Sequence, residues 1–351
     1  MTKPAFAADA NVHAVASTAK ALWWGVNGVA ARALVRPTTS PPKRPVSDRP
    51  ALSEGLLRRR WLEAFAKDRA DVAAGLYPLS EAAPSGPMTS FARSLDLLRD
   101  AREVDARRRR EDGTEVRTEP AAEALPTYYR QNFHYQSGGW LTAESAARYE
   151  GQVELLFAGA AGAMRRRALS LLMKHWRDSD QRDLRVVDLA CGSGAFLRDL
   201  TAALPRASVA GLDLSGPYLA EARARSGAPT VQANVERLPF ADASLDGLTC
   251  VFLFHELPPR VRPLVAAEMA RVLKPGGVLA FADSVQASDE PELARMLDAF
   301  PVFFHEPYYA SYQSTDLPAL FGMAGLTLKG QDSAFLTKAM LFEKHHPNSS
   351  I

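Results

Sequence analysis

Two glycines and two carboxylates have the types and spacing needed to bind a nucleoside. Gly192 and Gly194 are separated by one residue in a short turn, and without Cβ atoms they let a ligand approach the backbone closely. Asp213 follows Asp188 by about 25 residues, at the end of a second apolar run, where a carboxylate can accept hydrogen bonds from ribose hydroxyls. Asp213 could instead cap the next helix, although Ser215 offers the same capping group. Together these residues predict a nucleoside-binding site.

The elements that must position these residues follow the pattern of a parallel sheet. Val186 to Leu189 is a short apolar run typical of a buried strand, and apolar residues recur at helical spacing after the glycine turn until Pro205. We predict strands near 185–190, 207–213, 229–233, 246–253 and 278–284, and a terminal hairpin of 326–329 with 334–343. This alternation predicts an α/β fold, a doubly wound, mostly parallel seven-stranded sheet with helices on both faces.

Four motifs in the same order resemble those of the class I S-adenosylmethionine-dependent methyltransferases. They are Asp188-Leu-Ala-Cys-Gly-Ser-Gly194, Gly211-Leu-Asp-Leu-Ser215, Glu236-Arg-Leu-Pro-Phe240 and Arg271-Val-Leu-Lys-Pro-Gly-Gly277. The sequence is most similar to the small-molecule branch that includes ubiquinone and menaquinone biosynthesis methyltransferases, and the similarity covers roughly residues 165 to 343. The resemblance implies a Rossmann-like core, S-adenosyl-L-methionine as cofactor and methyl transfer as the reaction.

The resemblance also implies a set of cofactor-binding residues at the ends of the first four strands. They are Asp188, Ala190, Gly192, Gly194, Asp213, Leu214, Asn234, Val235 and Phe252. Asn234 stands where the family usually has an acidic residue that accepts a hydrogen bond from the adenine amino group; its amide oxygen can accept, but without charge assistance.

Other classes of protein are less compatible with these features, although two stay open as alternatives. A nicotinamide oxidoreductase shares the strand, turn and helix, but Leu197 replaces the third glycine of a pyrophosphate-binding turn. A non-catalytic module could bind the cofactor and scaffold a partner. Phe254-His-Glu-Leu257 stands where methyltransferases of nucleic-acid bases and glutamine amides carry Asn/Asp-Pro-Pro-aromatic. With a net charge of only +2, this favours a small-molecule acceptor and no nucleic acid.

The acceptor side is predicted from aromatic and imidazole side chains. His255 is our candidate catalytic base, because an imidazole titrates near neutrality, although it could equally be a structural histidine. The aromatic segment 128–140 is predicted to form a lid, and the cluster 300–309 could form the opposite wall. A packed linker and a hydrophobic flap are the respective alternatives. The residues predicted to contact the acceptor are Tyr129, Phe133, His134, Tyr135, Phe254, His305 and Tyr308.

The chain divides by composition into three parts. Residues 1–125 are predicted to be a helical extension with proline-rich linkers, residues 126–180 a lid and helical segment, and residues 181–346 the cofactor-binding domain. The segment 14–36 carries Trp23 and Trp24 flanked by basic residues, which predicts either a peripheral membrane contact or a helix packed on the protein. For the four arginines at 107–110 we expect a solvated helix end.

Cysteine usage favours a reducing compartment. Cys191 and Cys250 have neither pairing nor metal-ligand spacing, so we predict no metal site and a cytoplasmic protein, membrane-associated if the segment 14–36 contacts lipid.

Overall fold

The computed structural model describes residues 52–78, 87–119 and 122–346, together with a few positions between 19 and 49. The predicted membrane contact at residues 14–36 lies almost wholly outside the described residues, so it stays a prediction. Within the described part of the chain, no helix combines the length and the apolar character needed to cross a membrane.

A seven-stranded sheet forms the centre of the molecule. Its strands are β1 (Arg185–Leu189), β2 (Ser208–Asp213), β3 (Thr230–Gln232), β4 (Leu245–Val251), β5 (Leu273–Ser284), β6 (Leu326–Ala334) and β7 (Thr337–Lys344). The order is β3-β2-β1-β4-β5-β7-β6, with β1 to β5 parallel and β7 antiparallel to both neighbours. The predicted fold class is therefore confirmed, including the terminal hairpin.

Strand β5 begins earlier than the sequence predicted. We expected it near residue 278, but it starts at Leu273, which pairs with Leu245 of β4 before a register shift between Leu245 and Gly247. The glycines of the Arg271–Gly277 motif thus lie inside an irregular strand and do not form a loop before it.

Ten α-helices are described around this sheet. They are α1 (Glu54–Ala73), α2 (Pro87–Arg110), α3 (Ala143–Leu156), α4 (Ala161–His175), α5 (Ala195–Ala203), α6 (Gly216–Ser226), α7 (Arg262–Val272), α8 (Ala294–Phe304), α9 (Tyr309–Gln313) and α10 (Leu317–Met323). Neighbouring residues of a strand face opposite sides, so Val186 packs with one core and Val187 with the other. Helices α4 and α5 contribute to the first core, and α7 and α10 to the second.

Helix α1 is attached to the domain by buried ion pairs. Asp68 on α1 is fully buried and accepts two hydrogen bonds from Arg166 on α4, at 2.6 and 2.8 Å. Arg166 also pairs with Asp199 at 3.0 Å, and Arg167 pairs with Asp71 at 2.8 Å. Removing one partner would leave a buried charge uncompensated, so these contacts hold α1 in one position.

Helix α2 holds the segment predicted to form the lid. Arg107 is buried and donates hydrogen bonds to the Tyr135 carbonyl and, at 2.7 Å, to the Ser137 hydroxyl. Arg108 and Arg109 both pair with Asp105 one turn earlier. The prediction of a solvated helix end was therefore wrong for Arg107. The sequence could not reveal this, because its partners lie almost thirty residues further along the chain.

Candidate active site

The glycine turn links β1 to α5 through left-handed backbone. Ala190, Gly192 and Gly194 have φ values of 53°, 55° and 79°. A Cβ on Gly194 would lie 2.5 Å from the Cα of Ala222, so glycine is required for α5 to pack against α6. A Cβ on Gly192 would meet only a Tyr149 ring atom, at 3.9 Å. Gly194 is therefore needed for helix packing, whereas Gly192 faces open space.

Asp213 supports this turn from the end of β2. Its Oδ2 accepts a hydrogen bond from the Gly192 N–H at 2.8 Å, and its Oδ1 accepts one from the Ser215 N–H at 2.9 Å. Burial raises the pKa of Asp213, and these backbone donors oppose the rise. The helix cap is Ser215, whose hydroxyl accepts from the Tyr218 N–H, so the capping alternative does not apply to Asp213.

Asp188 presents an unpartnered oxygen beside the turn. Thr249 donates to its Oδ1 at 2.6 Å, whereas its Oδ2 has no hydrogen-bond partner among the described residues. Burial raises the pKa of Asp188 to about 7. The Ser193 hydroxyl and the Trp140 indole N–H are buried and likewise unpartnered within that part of the chain. Buried polar groups are normally hydrogen-bonded, so these three atoms are suited to a polar ligand.

A first cavity opens over the glycine turn, and we name it the turn cavity. Eight of the nine predicted cofactor residues line it; the ninth, Gly194, lies behind the turn against Ala222. Three further residues that the sequence did not single out line the same cavity: Tyr149, Glu150 and Arg165, the last two paired at 2.6 Å. They lie on α3 and α4, and helical periodicity alone gives no signal for which residues face a ligand.

Two predicted details of the turn cavity have a structural explanation. Leu197 replaces the third glycine, and the close helix–strand approach is instead allowed by Gly211 on β2, where a Cβ would lie 2.6 Å from Leu197. The Asn234 amide oxygen accepts from the Glu236 N–H at 2.9 Å, and its amide nitrogen donates to the Glu236 carboxylate. The Asn234 side chain therefore already makes two hydrogen bonds within its own turn, and its amide oxygen has only one lone pair left for an adenine amino group.

A second cavity, which we name the apolar cavity, adjoins the first. It has a volume of about 350 Å³, and its wall includes the rings of Phe157, Phe252, Phe300, Phe303 and Phe304. Tyr149, Phe252 and Glu256 line both cavities. The two spaces therefore meet at the end of β4.

The chain conformation after β4 decides which side chains reach this junction. Phe252 has a φ of 59° and stacks on Phe157 with ring centres 6.3 Å apart. Phe254 is fully buried against Phe281 and Phe321, at ring-centre distances of 5.1 and 5.3 Å. The prediction that Phe254 contacts the acceptor was therefore wrong, because the turn at Phe252 directs residue 254 into the core under the sheet.

The remaining predicted acceptor residues separate into two groups. Tyr129 and Phe133 line the turn cavity, and His134 lines the apolar cavity. Tyr135, His305 and Tyr308 line neither of these cavities. Tyr135 and His305 pack on each other with ring centres 5.2 Å apart. The lid segment and the 300–309 cluster contact each other, as predicted. Of the predicted acceptor residues in this contact, only His134 also lines the apolar cavity.

His255 lies at the junction in a charged environment. Its Nδ1 is 2.6 Å from the Oδ1 of Asp283, which is fully buried. Burial opposes the protonated imidazole, but the charge and hydrogen bond of Asp283 outweigh it and raise the pKa of His255 to about 10. At neutral pH the ring is therefore an imidazolium, and this charge state conflicts with the predicted role as a base.

Glu256, the next residue, has greater access to both cavities than the sequence suggested. We had no specific role for it beyond orienting His255 or lying at the surface. Its pKa is raised to about 8, chiefly by burial, with His255 opposing the shift and Asp283 adding to it. A carboxyl group that titrates near neutrality in a ligand cavity marks a functional site.

The fold and the site define a doubly wound α/β protein with a ligand cavity where the strand order reverses. A family profile described as methyltransferase domain matches residues 186–277. The demethylmenaquinone methyltransferase of Deinococcus radiodurans is 34% identical over 39% of this chain and 56% of its own length. The ubiquinone/menaquinone biosynthesis C-methyltransferase of Methylobacterium nodulans is 34% identical over 44% and 62%.

An uncharacterized methyltransferase of Synechocystis is 33% identical over 41% of this chain and 67% of its own length. The chain belongs to the class I S-adenosylmethionine-dependent methyltransferases. The aligned stretch spans less than two thirds of the length of the first two of these relatives.

Proposed function

We propose that this protein transfers the methyl group of S-adenosylmethionine to an apolar small molecule, aromatic or lipid-like, that binds in the apolar cavity. One observation carries the proposal: the turn cavity and the apolar cavity share Tyr149, Phe252 and Glu256 as a common wall. Ligands bound in the two adjoining cavities would therefore be neighbours at this junction, as a methyl donor and its acceptor must be.

The residues of the turn cavity fit the proposed cofactor. The Asp213 carboxylate, already ordered by two backbone N–H groups, has lone pairs left for ribose hydroxyls. The unpartnered Asp188 Oδ2 can accept from an ammonium group, and the Ser193 hydroxyl and Trp140 indole can donate to a carboxylate. Aromatic rings, including Tyr149, line the same space and suit a cationic ligand.

When bound, the cofactor supplies a methyl group already activated by a sulfonium, so the protein contributes mainly positioning and exclusion of water. Phe252 and Phe157 stack at the junction and form a dry wall there. Asp283 holds His255 in one orientation and in its charged form. His255 therefore contributes a fixed positive charge and does not accept the acceptor's proton at neutral pH.

The chemistry of the apolar cavity supports the acceptor class. Six phenylalanine residues line a cavity of about 350 Å³, which is large enough for an aromatic ring with an alkyl substituent. Two relatives are named for demethylmenaquinone and for ubiquinone and menaquinone biosynthesis, and a third as a fatty-acid O-methyltransferase. An acceptor of this kind would partition into membranes, which supports the peripheral contact that we predicted for residues 14–36.

The proposal is tested by transfer of a labelled methyl group from S-adenosylmethionine to a panel of acceptors. The panel contains an alkylated hydroquinone, a long-chain fatty acid and, as polar members, glycine and catechol. We expect turnover of an apolar member, and loss of S-adenosylhomocysteine binding by roughly 100-fold in Asp213→Asn, since each charge-assisted hydrogen bond contributes about 1.5–3 kcal/mol. Asp178→Asn, at an exposed position, is the matched control. Turnover of polar members alone would refute the acceptor class, and binding unaffected by Asp213→Asn would refute the cofactor site.

A further inference from the structure

Three side chains from distant parts of the chain converge behind the cavity junction. The Nε2 atom of His134 and carboxylate oxygens of Glu256 and Glu306 all lie within 4.8 Å of one another. His134 comes from the lid segment, Glu256 follows β4 and Glu306 follows α8. The distance from His134 Nε2 to Glu306 Oε1 is 3.1 Å.

Glu306 has no hydrogen bond that explains its burial. The residue is 1% exposed, and within the described part of the chain neither carboxylate oxygen has a hydrogen-bond partner. Its short contact with His134 lacks hydrogen-bond geometry, because the Oε1 atom of that contact is among the unpartnered atoms. A buried carboxylate without partners is costly, so a missing ligand is expected beside it.

The carboxyl groups around Glu306 outnumber their cationic partners. Asp283, Glu256 and Glu306 bring three carboxyl groups close together, and His255 pairs with Asp283. Among the described residues, no lysine or arginine forms an ion pair with Glu256 or Glu306; their ion-pair contacts are with histidines. A cation is therefore the partner that this group lacks.

We propose that His134, Glu256 and Glu306 bind one divalent transition-metal ion, of the Mn²⁺ to Zn²⁺ series, at the junction of the two cavities. Two ligands of a single ion at about 2.1 Å are roughly 3 Å apart, which agrees with the His134–Glu306 contact. Glu256, within 4.8 Å of both, would move inward on binding. An imidazole with two carboxylates suits this series better than Mg²⁺, which prefers oxygen ligands and keeps its water.

Aromatic contacts hold His134 in a position that suits a ligand role. The ring is held by edge contacts with Phe300 and Phe304, at ring-centre distances of 6.3 and 6.1 Å.

The position of this ion would give it a role on the acceptor side. His134 and Glu256 both line the apolar cavity, so an open coordination position can face an acceptor oxygen. A metal ion lowers the pKa of a bound hydroxyl, which removes the need for a protein base.

The test is calorimetric titration of chelator-treated full-length protein with Zn²⁺, Mn²⁺ and Mg²⁺, with S-adenosylhomocysteine binding measured on the same samples. We expect one high-affinity Zn²⁺ or Mn²⁺ per chain, weaker Mg²⁺, and a loss of roughly 100-fold or more in Glu306→Gln, judging from the effects of supporting residues at metal sites. Glu292→Gln, at an exposed position before α8, should leave the affinity unchanged.

Several outcomes would overturn the metal site. Wild-type protein that binds no equivalent of either ion would do so, as would Glu306→Gln with wild-type affinity, because the ion would then lie elsewhere, for example at the adjacent His345 and His346. Should Glu306→Gln fail to fold, Mn²⁺ electron paramagnetic resonance of the wild type and of Glu256→Gln decides the matter: identical spectra contradict the site. Retained S-adenosylhomocysteine binding without metal binding would refute this inference alone and leave the proposed methyl transfer intact.

Discussion

The turn cavity and the apolar cavity adjoin each other but are built in different ways. The turn cavity is lined mainly by residues at the ends of adjacent parallel strands, within residues 188–257, together with residues of the lid and of helices α3, α4 and α6. The apolar cavity is made of side chains from Leu57 on α1 to Leu336 before β7. The turn cavity is therefore formed mainly by the parallel sheet itself. The apolar cavity, in contrast, depends on helices and loops packed around that sheet.

The largest effect that we expect comes from detaching α1, which supplies Leu57 to the apolar cavity. Asp68→Ala should lower the free energy of unfolding by about 3–5 kcal/mol, because the buried Arg166 guanidinium loses its two hydrogen bonds to Asp68 and keeps the pair with Asp199. Chemical denaturation measures this change. Glu63→Ala on the exposed side of the same helix should change it by less than about 0.5 kcal/mol. Equal effects of the two substitutions would show that α1 is not held by this ion pair.

The second effect concerns the backbone of the turn cavity. Gly194 and Gly227 both have positive φ, 79° and 70°, but only Gly194 has atoms where a Cβ would stand. Gly227→Ala should cost about 1 kcal/mol of unfolding free energy from backbone strain, and Gly194→Ala about 3 kcal/mol, since overpacking adds to strain. Denaturant titration of both proteins measures the difference. If the two costs were the same, the contact between α5 and α6 would not explain the glycine.

A smaller effect should separate the two cavities functionally. Ala299 lines the apolar cavity, and Ala299→Phe should raise the KM for an apolar acceptor by roughly 10-fold by filling that space. S-adenosylhomocysteine affinity should not change. Ala310→Phe, at an exposed position on α9, is the control. Weakened cofactor binding in Ala299→Phe would mean that the cavities are not independent.

The smallest effect is a pH dependence at the shared wall. The pKa of Glu256 is raised from its ordinary value of 4.5 to about 8, so the folded state holds a proton that the unfolded state has released between these values. Its stabilising contribution is complete below pH 4.5 and is lost as the pH rises to about 8. In the metal-free protein, Glu256→Gln should remove the part of this decline that Glu256 contributes, so the unfolding free energy falls less steeply between these pH values. A decline in unfolding free energy that is unchanged in the variant would assign it to other groups.

The difference in construction also explains what the sequence could predict. The sheet and the glycine turn followed from local patterns, because strand, turn and helix lie next to one another in the chain, and eight of the nine residues that the resemblance assigned to the cofactor line one cavity. Strand ends of a parallel sheet meet at one edge whatever the loops do. Residue types and spacing within about 30 positions were therefore sufficient for that part of the site.

The acceptor side could be predicted only in part, since it depends on contacts between distant segments. The 128–140 and 300–309 segments were correctly expected to face each other, and His134 now lies against Phe300 and Phe304. The direction of Phe254 depended on a single positive φ at Phe252, which residue type does not reveal. The sequence did not predict a special role for Glu306. Its burial and its lack of hydrogen-bond partners among the described residues are results of tertiary packing.

Leu57 has a consequence for how the acceptor specificity of this protein could be inherited or exchanged. The family profile covers residues 186–277, yet Leu57 reaches the apolar cavity from a helix that precedes it by more than a hundred residues. Under the proposed function, a recombination that exchanged residues 186–277 alone would replace Phe252, His255 and Glu256 but keep the part of the acceptor wall that α1 and α8 supply. The choice of acceptor would then be inherited from both parents.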